Sequence, residues 1–396
     1  MKSTYKVDKL KNYIEQIRGI SYKADNILDE YKSGYKVVLR ANSIKNNKLE
    51  LNNLLYVDEN LIKEKQFIKA NDILIAASSG SKEVVGKSVQ ILKDTNYTFG
   101  AFCKLIRCKN NINPRYVGYF FRTEYYRNTI SNVVCGANIN NLKNENIDDL
   151  NIPIPRLEIQ NKIVEILDKS QELIDNRKEQ IEKLELLVKS KFIEMFGDPV
   201  KNQKKLAKVK LSELGEWKTG GTPLRSKSEY YNGNIPWLSS GELNNKYCFK
   251  SNEMITESAI IESAAKIIEV GSLLLGMYDT AALKSTINMI ECSCNQAIAY
   301  SKLNENLVNT VYVYYCIQIG KEFYKSQQRG VRQKNLNLSM VKGLEILMPP
   351  LEFQNQFAEF VKQVDKLKFE MEKSLKELED NFNSLMQKAF KGKLFK

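Results

Sequence analysis

The residues that come nearest to a reaction centre are Gly80-Ser-Lys-Glu-Val-Val-Gly86-Lys87-Ser88, which follow the strand-like run Asp72-Ile-Leu-Ile-Ala-Ala77. A glycine-rich turn closed by Lys-Ser is how backbone amides and an amine cradle nucleotide phosphates. Here five residues separate the glycines where about four are required, and Ser88-Val-Gln-Ile-Leu92 continues as strand where a helix must begin. The related stretch from Gly276 to Lys284-Ser285 has no second glycine before its lysine. Nucleotide binding is set aside, and a loop offering Lys82 and Lys87 to a DNA backbone fits better. DNA methyl transfer would need Asp/Asn-Pro-Pro-aromatic, but Pro349-Pro350 lies between Met348 and Leu351. Glu30-x-Lys32 and Glu216-x-Lys218 supply half of a metal-nuclease centre without a visible partner acid. Histidine is absent, which removes the commonest general base, His-activated nucleophiles and His-ligated metals. Nothing assembles a reaction centre.

Cysteine adds no metal site. The seven residues, Cys103, Cys108, Cys135, Cys248, Cys292, Cys294 and Cys316, contain no Cys-x-x-Cys pair, and they read as small buried hydrophobes in a reducing compartment. The N-terminus runs straight into polar residues, and no apolar run approaches the ~20 residues of a membrane span. The expectation is a soluble, cytoplasmic protein with no membrane partner.

Charge points to a polyanion. With 60 Lys plus Arg against 47 Asp plus Glu, the chain carries +13. Residues 1–151 have 24 basic and 16 acidic side chains; residues 206–345 have 16 and 13. The intervening segments are almost neutral. Lys321, Lys325, Arg329, Arg332 and Lys334 form one cluster. Lys104, Arg107, Lys109, Arg115, Arg122 and Arg127 form another, interleaved with Tyr116, Tyr119, Phe120, Phe121, Tyr125 and Tyr126. The mixture suits phosphate anchoring with base contact; it equally suits a helix with aromatics inside and charges in water. The aromatics are read as core; the charges fit either account.

The elements that must carry these residues repeat. Pro155-Arg-Leu-Glu-Ile-Gln160-Asn161 recurs 194 residues later as Pro349-Pro-Leu-Glu-Phe-Gln354-Asn355. Upstream, Gly136 to Leu142 pairs with Gly330 to Leu336, Tyr116-Val117-x-Tyr119 with Tyr312-Val313-x-Tyr315, and Asp72-Ile-Leu-Ile75 with Ser272-Leu-Leu-Leu275. Each copy is a globular domain and then a long helix. Leu157 to Phe196 and Leu351 to Phe390 contain neither Pro nor Gly. Val361, Val364, Lys368, Met371, Leu375, Leu378, Phe382, Leu385 and Ala389 hold heptad positions a and d in the second; eight of these nine are apolar. In the first, Leu167, Ser170, Ile174, Arg177, Ile181, Leu184, Val188, Lys191 and Met195 give six of nine. The pattern predicts a coiled coil. A 40-residue helix spans about 60 Å, and connectivity makes the pair antiparallel, a rod with a domain near each end about a pseudo-two-fold axis. The fold class is α+β, with strands at Tyr35 to Ala41, Asp72 to Ala77 and Ser88 to Leu92, and helices at Tyr116 to Asn128 and Asn309 to Ser326. The expected boundaries are 1–151 for the first domain, 152–205 for the central helix, 206–345 for the second domain and 346–396 for the C-terminal helix.

Two variable domains, each followed by a helix opening on Pro-x-Leu-Glu-x-Gln, resemble the specificity subunit of type I restriction–modification enzymes. The closures Phe192-Ile-Glu-Met-Phe-Gly-Asp-Pro199 and Ala389-Phe-Lys-Gly-Lys-Leu-Phe395 are similar to that family's, as are Gly220-Gly-Thr-Pro223, Gly233-Asn-Ile-Pro-Trp237 and the stretch from Gly330 to Leu336. The resemblance covers essentially the whole chain. It departs at Ile159 and Phe353, where the family has an acid, and the first domain lacks the Gly-Thr-Pro loop, its counterpart strand reading Val37-Val-Leu39. The resemblance implies a non-catalytic reader of a bipartite site in double-stranded DNA, one half per target-recognition domain. The rod would set the gap and dock two methyltransferase subunits, joined by restriction subunits. S-adenosylmethionine, ATP and magnesium would reside on those partners, and none on this chain. The DNA-contact candidates are Lys82, Lys87, Ser88, Thr222, Arg225, Lys227, Lys284, Arg329, Arg332 and Lys334. The subunit-interface candidates are Leu157, Gln160, Ile174, Ile181, Leu184, Leu351, Gln354, Leu375, Leu378 and Phe382. A coiled-coil scaffold whose basic domains bind an acidic protein is the alternative, and a gel shift with random duplex separates the two.

Overall fold

A computed structural model describes residues 3–133, 140–278, 281–326 and 335–395. The chain forms two compact units, Met1–Arg177 with Ser374–Lys396, and Lys178–Lys373. Each unit takes one globular domain and part of both long helices, Leu157–Phe196 and Leu351–Phe390.

In unit 1 the apolar strands Ile73–Ala76 and Cys103–Cys108 lie at the centre of a four-stranded antiparallel sheet, flanked by Ser88–Gln90 and Ile14–Arg18. A second sheet orders Thr98–Phe99, Tyr35–Leu39, Leu55–Asp58 and Ile27–Leu28. Unit 2 repeats the first sheet as Ser285–Asn288, Leu273–Gly276, Ile298–Ser301 and Lys218–Thr219, with Tyr247–Cys248 added at one edge. The parallel pairing of Val38 with Thr98 in unit 1 recurs as Trp237 with Ser293 in unit 2. The expected helices each break in two: Pro114–Phe120 and Glu124–Val133, then Thr310–Ile319 and Lys321–Ser326.

The heptad frame holds in the middle of the helices, at Leu167, Ile174, Leu184, Val188, Val361, Val364 and Phe382, and drifts toward their C-terminal ends, where Phe192, Phe196, Met386 and Phe390 are buried in place of Lys191, Met195 and Leu385. In unit 1, Ile163, Leu167 and Ile174 share a core with Phe382, Met386, Ala389 and Phe390. In unit 2, Val188, Phe192 and Phe196 share one with Phe357, Val361 and Val364. There Glu185 pairs with Lys368 at 2.6 Å while Phe192 stacks edge-on against Phe357, so the helices run antiparallel.

The Pro-x-Leu-Glu-x-Gln-Asn motif has a physical role. The Gln160 carboxamide, buried, accepts from the Asn113 backbone N–H at 2.9 Å and donates to the Pro155 carbonyl at 2.9 Å. The Asn113 side chain caps the helix Pro114–Phe120 and donates to Asn161 Oδ1 at 2.7 Å. In unit 2 Gln354 joins Asn309 N–H to the Pro349 carbonyl at 2.9 and 2.8 Å, and Asn309 donates to Asn355 at 3.0 Å. The Tyr116 hydroxyl donates to the Pro153 carbonyl, and the Tyr312 hydroxyl to that of Leu347. Each motif therefore bolts the start of its helix to the capped helix of its own domain.

Candidate nucleic-acid interface

The loop Gly220–Leu224 in unit 2 is pinned along its length. Gly220 N–H bonds the Ile298 carbonyl at 3.1 Å and Gly221 N–H that of Cys294 at 2.9 Å. The buried Trp237 indole donates to the Gly221 carbonyl at 3.0 Å, and the Tyr231 hydroxyl to that of Pro223 at 2.7 Å. Glycine is required twice by space: a Cβ on Gly220 would overlap the Cys294 carbonyl, and one on Gly221 the Ala264 backbone. The held loop presents Thr222, Leu224 and Arg225 to solvent.

Arg225 lies over the rings of Tyr231 and Trp237, at 4.7 and 5.1 Å, and engages Glu253 through both nitrogens at 2.5 and 3.1 Å. The hydrogen bond to Glu253 raises its pKa, so it stays charged. The Thr222 hydroxyl donates to the exposed Gln296 carboxamide. Lys227 reaches the Tyr230 hydroxyl at 2.8 Å and Glu262 at 3.5 Å. A rigid, exposed set of donors and acceptors beside a held guanidinium is equipped to read base edges. Gln296 carries no motif, so the sequence gives no signal for it; only its place opposite Thr222 marks it.

The other candidates part company. Lys82 is exposed on a turn, and Lys87 half-buried where the Ala76 N–H takes its carbonyl. That segment is turn followed by strand, as the spacing required. Ser88 is a correction: it is buried and donates to the Phe121 carbonyl at 3.3 Å, because its strand packs against the helix Pro114–Phe120. Lys284 bonds Asn244 at 2.9 Å and joins Lys321 and Lys325 in a separate basic cluster, where burial and then Lys325 and Lys284 depress the Lys321 pKa. Arg329, Arg332 and Lys334 lie outside the described residues.

The basic–aromatic cluster of unit 1 resolves to core. Tyr116, Tyr119, Phe120, Phe121 and Tyr126 are buried. Its cations are engaged internally: Arg107 with Asp72 at 2.7 Å, Arg115 with Asp168, Arg122 with Gln171, and Arg127 with the Val85 and Glu83 carbonyls.

As surfaces for another subunit, Gln160, Ile174, Leu184, Gln354 and Phe382 are corrected too. They are buried, because coiled-coil and clamp positions close on the chain itself. Ile181, Leu351, Leu375 and Leu378 are half-buried, and Leu157 is exposed. The apolar residues the helices do expose include Leu173, Leu186, Leu187, Ile193, Leu367 and Phe369. A heptad reading finds seams and passes over such positions.

No cluster able to hold a metal ion, and no helix long and apolar enough to cross a membrane, occurs among the described residues. The six described cysteines are unpaired; Cys103, Cys292, Cys294 and Cys316 are buried and Cys108 and Cys248 half-buried, and burial pushes the thiols of Cys103 and Cys108 up to about 12.

Residues 2–186 and 203–380 match the family model of the type I restriction modification DNA specificity domain. The chain belongs to this family. It is 31% identical over 402 residues to the type I restriction enzyme StySPI specificity subunit of Salmonella potsdam, covering 96% of this chain and 86% of that one. The EcoKI specificity subunit of Escherichia coli K12 is 44% identical over 149 residues, 38% of this chain and 32% of that one. Two solved structures share the fold of this chain. The S subunit from M. genitalium aligns with TM-score 0.53 at 14% identity, over 98% of this chain and 96% of that one. A chain from a study of complex assembly in the type I R-M system aligns at 0.59 and 16%, over 98% and 100%.

Proposed function

We propose that the chain is the DNA-reading subunit of a cytoplasmic type I restriction–modification complex. Each unit contacts one half of a bipartite site in double-stranded DNA. The chain supplies no catalytic group; S-adenosylmethionine, ATP and magnesium belong to its methyltransferase and restriction partners. The observation that carries this reading is the pinned Gly220–Leu224 loop, which displays Thr222 and Arg225 on a rigid frame in a domain of net positive charge. The exposed apolar residues of the long helices, Leu186, Leu187, Leu367 and Phe369 among them, support docking of two methyltransferase subunits there.

The experiment is an exchange. Residues 206–345 are replaced by those of another family member, and methylated adenines are sequenced in cells that also express the methyltransferase partner. One half of the methylated motif should change while the other half stays. Change in both halves would show that the units do not read independently.

A further inference from the structure

Gln296 sits on a tight turn whose backbone is fixed on both sides. Asn295 N–H bonds the Leu238 carbonyl at 3.0 Å, the Asn295 side chain accepts from Ala297 N–H at 3.1 Å, and Met277 N–H takes the Ala297 carbonyl at 2.9 Å. Ala297 is buried while Gln296 is exposed. An exposed polar side chain has no need of such support for stability. Thr222, on the pinned loop, gives its hydroxyl proton to Gln296 Oε1.

That bond holds the carboxamide against the loop, with Oε1 toward Thr222. A free carboxamide flips at little cost and can offer two donors or a donor and an acceptor. With Oε1 held by Thr222, the acceptor oxygen keeps one free lone pair and the NH2 group faces away from the loop. In the major groove only adenine sets an N–H donor beside an acceptor, N6 beside N7, in the order that such an amide matches. Guanine presents two acceptors, N7 and O6, and O6 would oppose Oε1. Pre-ordering both side chains also lowers the entropy lost on contact.

We propose that Gln296, positioned by Thr222, reads an adenine through its major-groove edge in the half-site recognised by unit 2. This rests on the DNA-reading function proposed above and adds the base and the residue. Unit 1 places Ser21 and Ala101 at the equivalent points. There Ile20 N–H bonds the Phe99 carbonyl as Gly221 bonds Cys294, and Gly100 N–H bonds Leu39 as Asn295 bonds Leu238. Unit 1 therefore has no amide for this contact.

The test uses the full chain co-expressed with its methyltransferase partner in a host that lacks adenine methylation, with methylated motifs read by sequencing. The wild-type motif should contain a fixed adenine, besides the methylated base pair itself, in the half that the 206–345 exchange alters. Gln296→Ala should make that one position degenerate, lowering its discrimination roughly 5- to 150-fold, the worth of a bidentate base contact, and leave the gap and other half unchanged. Thr222→Val, which leaves the carboxamide free to turn, should weaken the preference for adenine at the same position. The unaltered half reports that each variant folds. Gln296→Ala with an unchanged motif, or with methylation lowered evenly at every site as a backbone contact would give, overturns the assignment. A wild-type chain that yields no bipartite motif overturns the underlying reading, and does so before any variant is made.

Discussion

Gln160 in unit 1 and Gln354 in unit 2 make the same two bonds, to a helix-capping asparagine and to the carbonyl of a proline. At the pinned loop the two units part: Ser21 and Ala101 stand where unit 2 has Thr222 and Gln296, although three backbone bonds correspond, Ile20–Phe99, Gly100–Leu39 and Ala77–Phe102 matching Gly221–Cys294, Asn295–Leu238 and Met277–Ala297. Beside the clamp a second difference appears. In unit 1 Arg115 lies against Tyr119 and bonds both Gln90 and Asp168. The matching positions in unit 2 are Val311, Ile287 and Lys362, and they line an open groove of about 770 Å³. Tyr315 there takes its cation from Lys246 instead, which is paired with Asp365 at 2.6 Å and whose pKa is depressed by burial. Backbone and clamp are thus repeated, while the side chains on the outer loop are free to differ. A protein that must hold its helices alike but read two different half-sites would be divided in this way.

The sharpest way to break this comparison is through the aromatic anchors. Phe390 packs on Tyr116 with ring centres 4.9 Å apart in unit 1, and Phe196 on Tyr312 at 4.9 Å in unit 2. Both phenylalanines are 1% exposed or less. Phe390→Ala and Phe196→Ala should each cost about 3–5 kcal/mol. Hydrogen exchange should show lost protection in unit 1 for the first and in unit 2 for the second. A loss spread equally over both units in either variant would mean that they do not unfold separately.

Next come the clamps. Gln160→Leu and Gln354→Leu keep the volume but leave a buried N–H and a carbonyl without partners, at about 1–3 kcal/mol for each group. Equal losses, read from denaturant unfolding, are expected. A much smaller cost at one would show that its clamp is not equivalent.

Then the loop glycines. Gly19 in unit 1 matches Gly220: a Cβ on it would overlap the Gly100 carbonyl, as one on Gly220 overlaps that of Cys294. Gly19→Ala should therefore be about as destabilising as Gly220→Ala, in the range of 1–3 kcal/mol for overpacking. A harmless Gly19→Ala would separate the two loops.

That last pair shows how far the sequence could be read. The motif around Gln160 and Gln354 is legible because five of seven positions recur at one offset and the helices contain no breaker. The offset then drifts: it is 196 residues between Tyr116 and Tyr312, and 201 between Gly19 and Gly220. Insertions in the outer loops shift the frame, so Gly-Gly-Thr-Pro in unit 2 has only Gly19 to answer it in unit 1. The first domain lacks the Gly-Thr-Pro loop, yet its backbone keeps Gly19 at the place of Gly220. The need for Gly19 arises from a tertiary contact with Gly100, which no local pattern records. Ser88 is misplaced for the same reason: alternation gives its strand, but the helix that buries it comes from residues 114–120.

The smallest effect tests transfer. If the outer loops differ only in side chains, unit 1 should accept the reading pair of unit 2. Ser21→Thr with Ala101→Gln places a hydroxyl and a carboxamide on the matching backbone positions. Ala101 is half-buried, and its neighbour Phe102 is 66% exposed where unit 2 has the buried Ala297, so Phe102→Ala clears the space. The three changes should leave the second half of the methylated motif untouched. In the first half, one position should gain a preference for adenine. The expected gain is only about fivefold, near 1 kcal/mol and the lower end for a bidentate contact, because nothing else in unit 1 has been arranged around that base. The measure is the ratio of methylation at sites with adenine against the other bases at that position. A shift elsewhere in the first half would place the equivalent of Gln296 at another point of the loop, and the shared backbone bonds would no longer describe how the units meet DNA.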